Sequence, residues 1–60
     1  MKNSYGGIEI GMLVGLYVNG IAGEVSGFVE DINDQYFTVQ DIFSGEVSIV
    51  HYDDITVMAF

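Results

Sequence analysis

Short apolar runs alternate with polar positions throughout residues 11–60, and turn-forming residues separate these runs at intervals of roughly ten. This spacing is typical of an all-β meander that closes into a sandwich or a barrel. No segment shows the apolar period of an amphipathic helix. The pattern therefore predicts an all-β fold, a small, strongly bent, five-stranded antiparallel barrel over residues 11–60, preceded by a short N-terminal extension over residues 1–10.

The strand boundaries follow from the turn residues. Asn19-Gly20 favours a tight hairpin with positive φ at both positions, a polar turn is expected at residues 31–35, and Ser44-Gly45 forms the next turn. Gly23 and Gly27 are expected where a small barrel bends sharply. The predicted strands are residues 12–18, 21–31, 36–42, 46–50 and 55–60.

Alternation within each run predicts which side chains face the core. The first strand is apolar on both sides, so both of its faces are expected to be buried. In the next three strands, the inward side chains are predicted to be Val25, Val29, Phe37, Val39, Val47 and Ile49.

The last predicted strand is apolar on both of its faces, with Ile55, Val57 and Ala59 on one side and Met58 and Phe60 on the other. A terminal strand is expected at a sheet edge, where exposed apolar surface favours aggregation unless something covers it. A neighbouring subunit would cover it, and a fixed head-to-tail contact can close into a ring. The alternative is a monomeric barrel that closes on itself. The predicted subunit interface comprises Val47, Ile49, Ile55, Val57, Met58 and Phe60.

Chain length also favours self-association. A chain of 60 residues buries only about 60% of the surface that its unfolded form exposes, so its stability alone is marginal. It contains no cysteine and no Cys/His cluster, which excludes a disulfide framework and a structural zinc site. Oligomerisation is the remaining source of stability.

The net charge of −8 comes from nine acids set against a single basic side chain, Lys2. Nucleic-acid affinity depends on cations that neutralise phosphates, so phosphate backbones should be repelled. The acids could serve only to keep an apolar small protein soluble. They could also form a face that meets a basic protein or mimics nucleic acid.

No targeting or membrane signal is visible. Residues 1–7 have neither a long apolar core nor a small-residue cleavage site, and no apolar run is long enough to cross a membrane. We therefore expect a cytoplasmic protein with no membrane partner.

Catalytic chemistry is not expected. His51 lies beside Asp53 and Asp54, but no cysteine or serine stands in a nucleophile context. His51 is instead expected in a loop, with its ring packed beside Tyr52. We predict a non-enzymatic protein without a cofactor.

No metal site is expected either. The alternating oxygen ligands of residues 31–35 suggest a calcium loop, but Tyr36 stands where that loop needs glycine and Ile42 where it needs glutamate. A polar turn explains the same residues.

Two segments resemble a known family. Residues 16–28 read LYVNGIAGEVSGF and are followed, after a polar turn, by FTVQD at 37–41. This resembles the first motif of the Sm and Sm-like proteins, in which a strand leads through a glycine turn to a bent strand. Residues 45–49 and 54–57 look like the two short strands of the second motif, although its Arg-Gly pair is replaced by Val-His-Tyr at 50–52.

The resemblance implies a bent five-stranded sheet whose last strand pairs with the fourth strand of the next subunit. Such subunits form a ring that commonly binds RNA at its pore. For this chain it predicts a homo-oligomeric ring, an accessory module in RNA or DNA processing, that binds RNA or single-stranded nucleic acid. Base stacking and hydrogen bonding are expected from Asn33, Tyr36, His51 and Tyr52. The alternatives are an acidic protein-interaction hub, or nucleic-acid mimic, on an Sm-like or SH3-like scaffold, and a monomeric SH3-like ligand binder.

Overall fold

The computed structural model describes residues 4–5 and 7–59, and these residues form strands and one short 3-10 turn. Two very short strands, β1 (Ser4–Tyr5) and β2 (Ile8–Glu9), pair with each other. Five longer strands form a single antiparallel sheet, with the 3-10 turn Tyr52–Asp54 before the last of them. These strands are β3 (Leu13–Val18), β4 (Glu24–Ile32), β5 (Tyr36–Asp41), β6 (Val47–His51) and β7 (Ile55–Ala59). The all-β prediction is confirmed.

The order of strands across the sheet is β6-β5-β4-β3-β7. β6 and β7 are therefore the two edges, and in the described part of the chain they do not pair with each other. The sheet is open, so closure into a barrel is not observed. No helix among residues 4–5 and 7–59 is long and apolar enough to cross a membrane.

The sheet is nevertheless strongly curled. β6 ends at His51 and β7 begins at Ile55, so the chain passes from one edge to the other through the 3-10 turn alone. Four Cα steps span at most about 14 Å, whereas five flat strands would place their edges about 19 Å apart. The two edges must therefore bend towards each other.

Two features of β4 permit this curvature. Gly27 lies against β5, where a Cβ atom would overlap the main-chain carbonyl of Gln40, so no other residue fits there without a shift of the backbone. The pairing of β4 with β5 also shifts register between Val29 and Asp31, which is a β-bulge. Gly27 is therefore required for the close approach of β4 to β5. The sharp bend expected at Gly23 and Gly27 stays a prediction.

The concave face of the sheet carries the core. Inward positions for Val25, Val29, Phe37 and Val39 are confirmed. Ile8 is also buried, so the N-terminal extension contributes to the core. The buried apolar residues are Ile8, Val14, Leu16, Val18, Val25, Val29, Ile32, Phe37, Val39 and Val50.

The prediction that Val47 and Ile49 face inward is wrong. They are 54% and 57% exposed, respectively, and Val50 is buried in their place. Val50 lies directly opposite Phe37, and opposed residues of an antiparallel pair point to the same face. Pairing with β5 therefore turns Val50 towards the core.

Burial of both faces of β3 is also not observed. Val14, Leu16 and Val18 are buried, but Leu13 and Tyr17 are about half exposed. The reason is that the core lies on one face of the sheet only, and the described residues place no second layer over the convex face.

The turn between β3 and β4 is longer than predicted. It spans residues 19–23, because the Ile21 N–H bonds to the Val18 carbonyl at 3.2 Å and β4 begins at Glu24. Gly20 has φ +89°, whereas Asn19 does not have a positive φ. This is the geometry of a type II turn, in which only the third residue needs positive φ.

Candidate functional site

The two edge strands expose apolar side chains and contain no acid. None of the nine acids of the chain lies in β6 or β7, although acids occur in β4 and in the adjoining loops. The exposed apolar side chains of these edges are Val47, Ile49, Val57 and Met58. Each edge strand also presents a row of main-chain N–H and C=O groups that no other strand of the described sheet covers.

β7 is apolar on both faces, as predicted, but its residues are distributed differently. Val57 lies opposite the outward-facing Tyr17, while Ile55 lies opposite the buried Val18 and packs on the core. A bulge at Thr56 causes this change of face, and its hydroxyl donates a hydrogen bond of 3.1 Å to the Tyr17 carbonyl. Phe60 lies outside the described residues.

A second cluster lies at the end of the sheet where β5 begins and β6 ends. Tyr36 and His51 are directly opposite each other, with ring centroids 5.4 Å apart and planes inclined by 59°. The prediction of a loop position for His51 is wrong. It is the last residue of β6, its side chain is exposed, and its ring contacts Tyr36.

Asn33 shapes the loop that leads to Tyr36. Its side-chain oxygen accepts hydrogen bonds from the N–H groups of Gln35 and Tyr36, each at 2.9 Å. Its own N–H donates to the Tyr36 carbonyl at 3.0 Å. The predicted polar turn is confirmed at residues 33–35, whereas Asp31 and Ile32 belong to β4. The amide oxygen of Asn33 is used within this turn.

Tyr52 connects the 3-10 turn to the same loop. Its ring packs on Phe37 at a centroid distance of 5.4 Å, and its hydroxyl donates to the Asn33 carbonyl at 2.9 Å. Its N–H donates to the Gln35 carbonyl at 3.3 Å. Tyr52 therefore braces this end of the sheet and holds Asn33 in place.

The four residues predicted to contact nucleic acid are thus brought together at one end of the molecule. The His51 side chain is exposed, and those of Tyr36 and Tyr52 are half-buried. Beside them is an open cleft of about 330 Å³, lined by Asp31, Ile32, Asn33, Tyr36 and Thr38. The cleft has an aromatic wall and polar groups, but the described residues include no Lys or Arg. It could accept a flat ring by stacking and hydrogen bonding, with no cation to hold a phosphate.

The β5–β6 loop contains exposed apolar residues that the strand prediction missed. β5 ends at Asp41, so Ile42 and Phe43 belong to the loop, and the Phe43 side chain is 92% exposed. The Asp41 carboxylate accepts hydrogen bonds from the N–H groups of Ser44 at 2.9 Å and Phe43 at 2.7 Å. These bonds, first that from Ser44 and then that from Phe43, lower the pKa of Asp41. The sequence signal for this loop was Asp41, an aspartate a few residues before the Ser44-Gly45 turn.

Among the described residues, no group of three or more His, Asp or Glu side chains is arranged to hold a metal ion. The chain was also compared with protein-family models, with curated proteins and with solved structures, and none of the three comparisons found a match.

Proposed function

We propose that this chain is a non-enzymatic assembly module whose copies join edge to edge, β6 of one copy to β7 of the next, in a ring of the Sm-like kind. One observation carries the proposal. Both edge strands are free of acids in a chain that has nine, and both expose apolar side chains. Monomeric sheet proteins usually protect their edges with charges, prolines or very short strands.

The geometry supports a head-to-tail contact. Because β6 and β7 are different surfaces of the same copy, each contact leaves one edge of each type available for a further copy. Such heterologous contacts form a ring when the rotation between neighbours closes. Strand pairing across the contact would satisfy the main-chain groups of both edges and bring Ile49 next to Val57 on the convex face.

The net charge opposes this assembly. Each copy carries −8, so neighbouring copies repel each other at low ionic strength. Salt screens exposed charges over about 10 Å at 0.1 M. The ring should therefore become more stable as salt is added, whereas binding of a nucleic acid through phosphates weakens with salt.

Sedimentation velocity at low and moderate salt tests the assembly directly. We expect a single oligomeric species at micromolar concentration that is favoured by salt. A monomer under all conditions would remove the ring and favour a monomeric SH3-like ligand binder.

A second function is supported by the Tyr36–His51 contact. We propose that single-stranded RNA or DNA bases stack on these two rings, with hydrogen bonds to main-chain groups around the adjoining cleft. In a ring the site is repeated, so weak stacking at each copy adds up to useful affinity. This role, as an accessory in nucleic-acid processing, rests on the proposed ring.

Binding of labelled oligo-U and oligo-A at low and moderate salt tests the second function. We expect modest affinity that depends on stacking. No binding at low salt would remove nucleic acid as the ligand and leave a basic protein as the partner of the ring.

A further inference from the structure

The convex face carries a groove beside the β5–β6 loop, lined by both polar and apolar residues. Phe28 from β4 and Gln40 from β5 lie opposite each other and form its floor. Residues 41–45 form its wall, and the open volume is about 410 Å³. We call this feature the Phe43 groove. It lies at the opposite end of β5 from Tyr36, so it is separate from the proposed stacking site.

The wall of the groove is held by hydrogen bonds within the loop. Besides the two bonds to the Asp41 carboxylate, the Gly45 N–H donates to the Asp41 carbonyl at 3.0 Å and the Asp41 N–H donates to the Glu46 carbonyl at 2.8 Å. The Glu46 N–H donates to the Ser44 hydroxyl at 3.2 Å. Phe43 is thus presented to solvent by an ordered loop, which reduces the entropy lost when a partner binds.

The apolar surface extends beyond the groove. Leu13 of β3 lies directly opposite Phe28, and both side chains are about half exposed. Ile42 is similarly exposed at the start of the loop. Clustered exposed apolar side chains of this kind mark interaction sites on soluble proteins, and aromatic anchors supply much of the binding energy.

Carboxylates surround this surface. Asp41 lines the groove, Glu46 is exposed at the end of the loop, and Glu30 is exposed on β4 two residues after Phe28. The described residues provide no Lys or Arg to balance them. A second copy, an anionic lipid or a nucleic acid would bring further negative charge to this surface, so electrostatic complementarity favours a cationic occupant.

We propose that the Phe43 groove binds a basic peptide segment of a partner protein, with a bulky apolar side chain against Phe28 and Phe43 and flanking Lys or Arg side chains near the carboxylates. The apolar contact supplies affinity and the charges supply orientation and rapid association. The site does not depend on the proposed ring, because it lies on the convex face and not on the main-chain edges of β6 and β7.

A labelled synthetic peptide of alternating lysine and leucine is the probe, and its affinity is measured by fluorescence anisotropy. We expect Phe43→Ser to weaken binding by about tenfold or more, as for an aromatic anchor. Glu46→Gln should weaken it by a smaller factor and reduce its salt dependence. Tyr17→Ser removes an exposed aromatic ring elsewhere on the convex face and should leave the affinity unchanged. Phe43 is almost fully exposed, so its replacement should not affect folding.

Four results would overturn the proposal. The first is equal binding of a lysine–serine peptide, which would mean that charge alone acts. The second is unchanged affinity of the Phe43→Ser variant. The third is a change in the sedimentation of the free protein on Phe43→Ser, which would identify a second copy as the occupant. The fourth is Phe43-dependent binding to phosphatidylcholine vesicles without peptide binding. A protein that proved to be monomeric would not give any of these four results, because it should still bind the peptide through Phe43.

Discussion

The hydroxyl of Tyr52 donates a 2.9 Å hydrogen bond to the main-chain carbonyl of Asn33, 19 residues earlier in the chain. This bond joins the 3-10 turn between the two edge strands to the loop that begins β5. Asn33 in turn holds the N–H groups of Gln35 and Tyr36. The position of Tyr36 therefore depends on the contacts of Tyr52.

Replacement of Tyr52 by phenylalanine should destabilise the fold while keeping the ring contact with Phe37. The lost hydrogen bond should cost about 1 kcal/mol of unfolding free energy, because a partly buried carbonyl loses its partner. Urea denaturation of the variant measures this. The matched control is Tyr17→Phe, which alters an exposed tyrosine and should change stability much less. Equal effects of the two changes would show that the hydroxyl of Tyr52 is not structurally important.

Gly27 should tolerate substitution less well than a glycine in open space. Gly27→Ala forces a Cβ atom into the main chain of β5, and we expect a loss of about 2 kcal/mol or more, as in overpacked interiors. Gly23→Ala is the comparison, because Gly23 has φ +78° but nothing near its missing Cβ. That change should cost about 1 kcal/mol from backbone strain alone. The reverse order in thermal or urea denaturation would contradict the close approach of β4 and β5.

Simple alternation predicted the inward positions of β5 because Phe37 and Val39 are apolar and their neighbours are polar. In β6 simple alternation failed, because apolar residues lie on both faces of the strand: Val47 and Ile49 on one face and Val50 on the other. The register with Phe37 then decides which face is buried. Which of the two faces of β6 is buried depends on its register with β5, so it cannot be predicted from the sequence of β6 alone.

The sequence predicted which residues form the candidate site, but not which contacts they make. Asn33, Tyr36, His51 and Tyr52 do lie at one end of the sheet. The sequence could not indicate that Tyr52 bonds within the fold while His51 faces Tyr36, because both facts depend on the β5–β6 register and on the path of the 3-10 turn.

A charge in either edge strand should dissociate the proposed ring. We expect Val57→Lys and Ile49→Lys each to raise the dissociation constant of assembly by up to about fivefold, because each removes the apolar contact between these two side chains across the paired edges, and lysine is a residue that protects a sheet edge from pairing. Both side chains are exposed in the single copy, so folding should be retained. Sedimentation velocity measures the assembly. The control Ala22→Lys adds the same charge in the exposed β3–β4 loop and should not dissociate the ring. Dissociation by Ala22→Lys as well would indicate that the edges are not the interface.

Base stacking on the aromatic pair can be separated from general surface effects. Tyr36→Ala should weaken oligonucleotide binding by about 1–3 kcal/mol per stacked base, and His51→Ala should weaken it also. Tyr17→Ala removes another partly exposed tyrosine, which lies near the other end of the sheet, and should have no effect. Fluorescence anisotropy at low salt gives the affinities, and sedimentation confirms that the oligomer is unchanged. If Tyr36→Ala and His51→Ala bind the oligonucleotide as tightly as the control Tyr17→Ala, the proposed stacking site is wrong.

The hydrogen bonds to Asp41 make the β5–β6 loop sensitive to acid. Hydrogen bonds from Ser44 and Phe43 lower the pKa of Asp41 below the ordinary 3.8, so the folded loop favours the carboxylate. A group whose pKa is lowered by folding stabilises the folded state above its unfolded pKa, and this stabilisation is lost as the pH falls through the folded pKa. The loop should therefore remain ordered at neutral pH and loosen only in strong acid.

An NMR titration of the loop amides tests this expectation. The Phe43 and Ser44 amide signals should shift together with a midpoint below 3.8, because both N–H groups bond to the titrating carboxylate. In Asp41→Asn, which keeps a side-chain acceptor but has no charge to lose, this step should be absent. Retention of the step in that variant would assign it to another acid. Below the midpoint, both amides should also exchange faster with solvent, and Phe43 should no longer be held in the orientation that forms the wall of its groove.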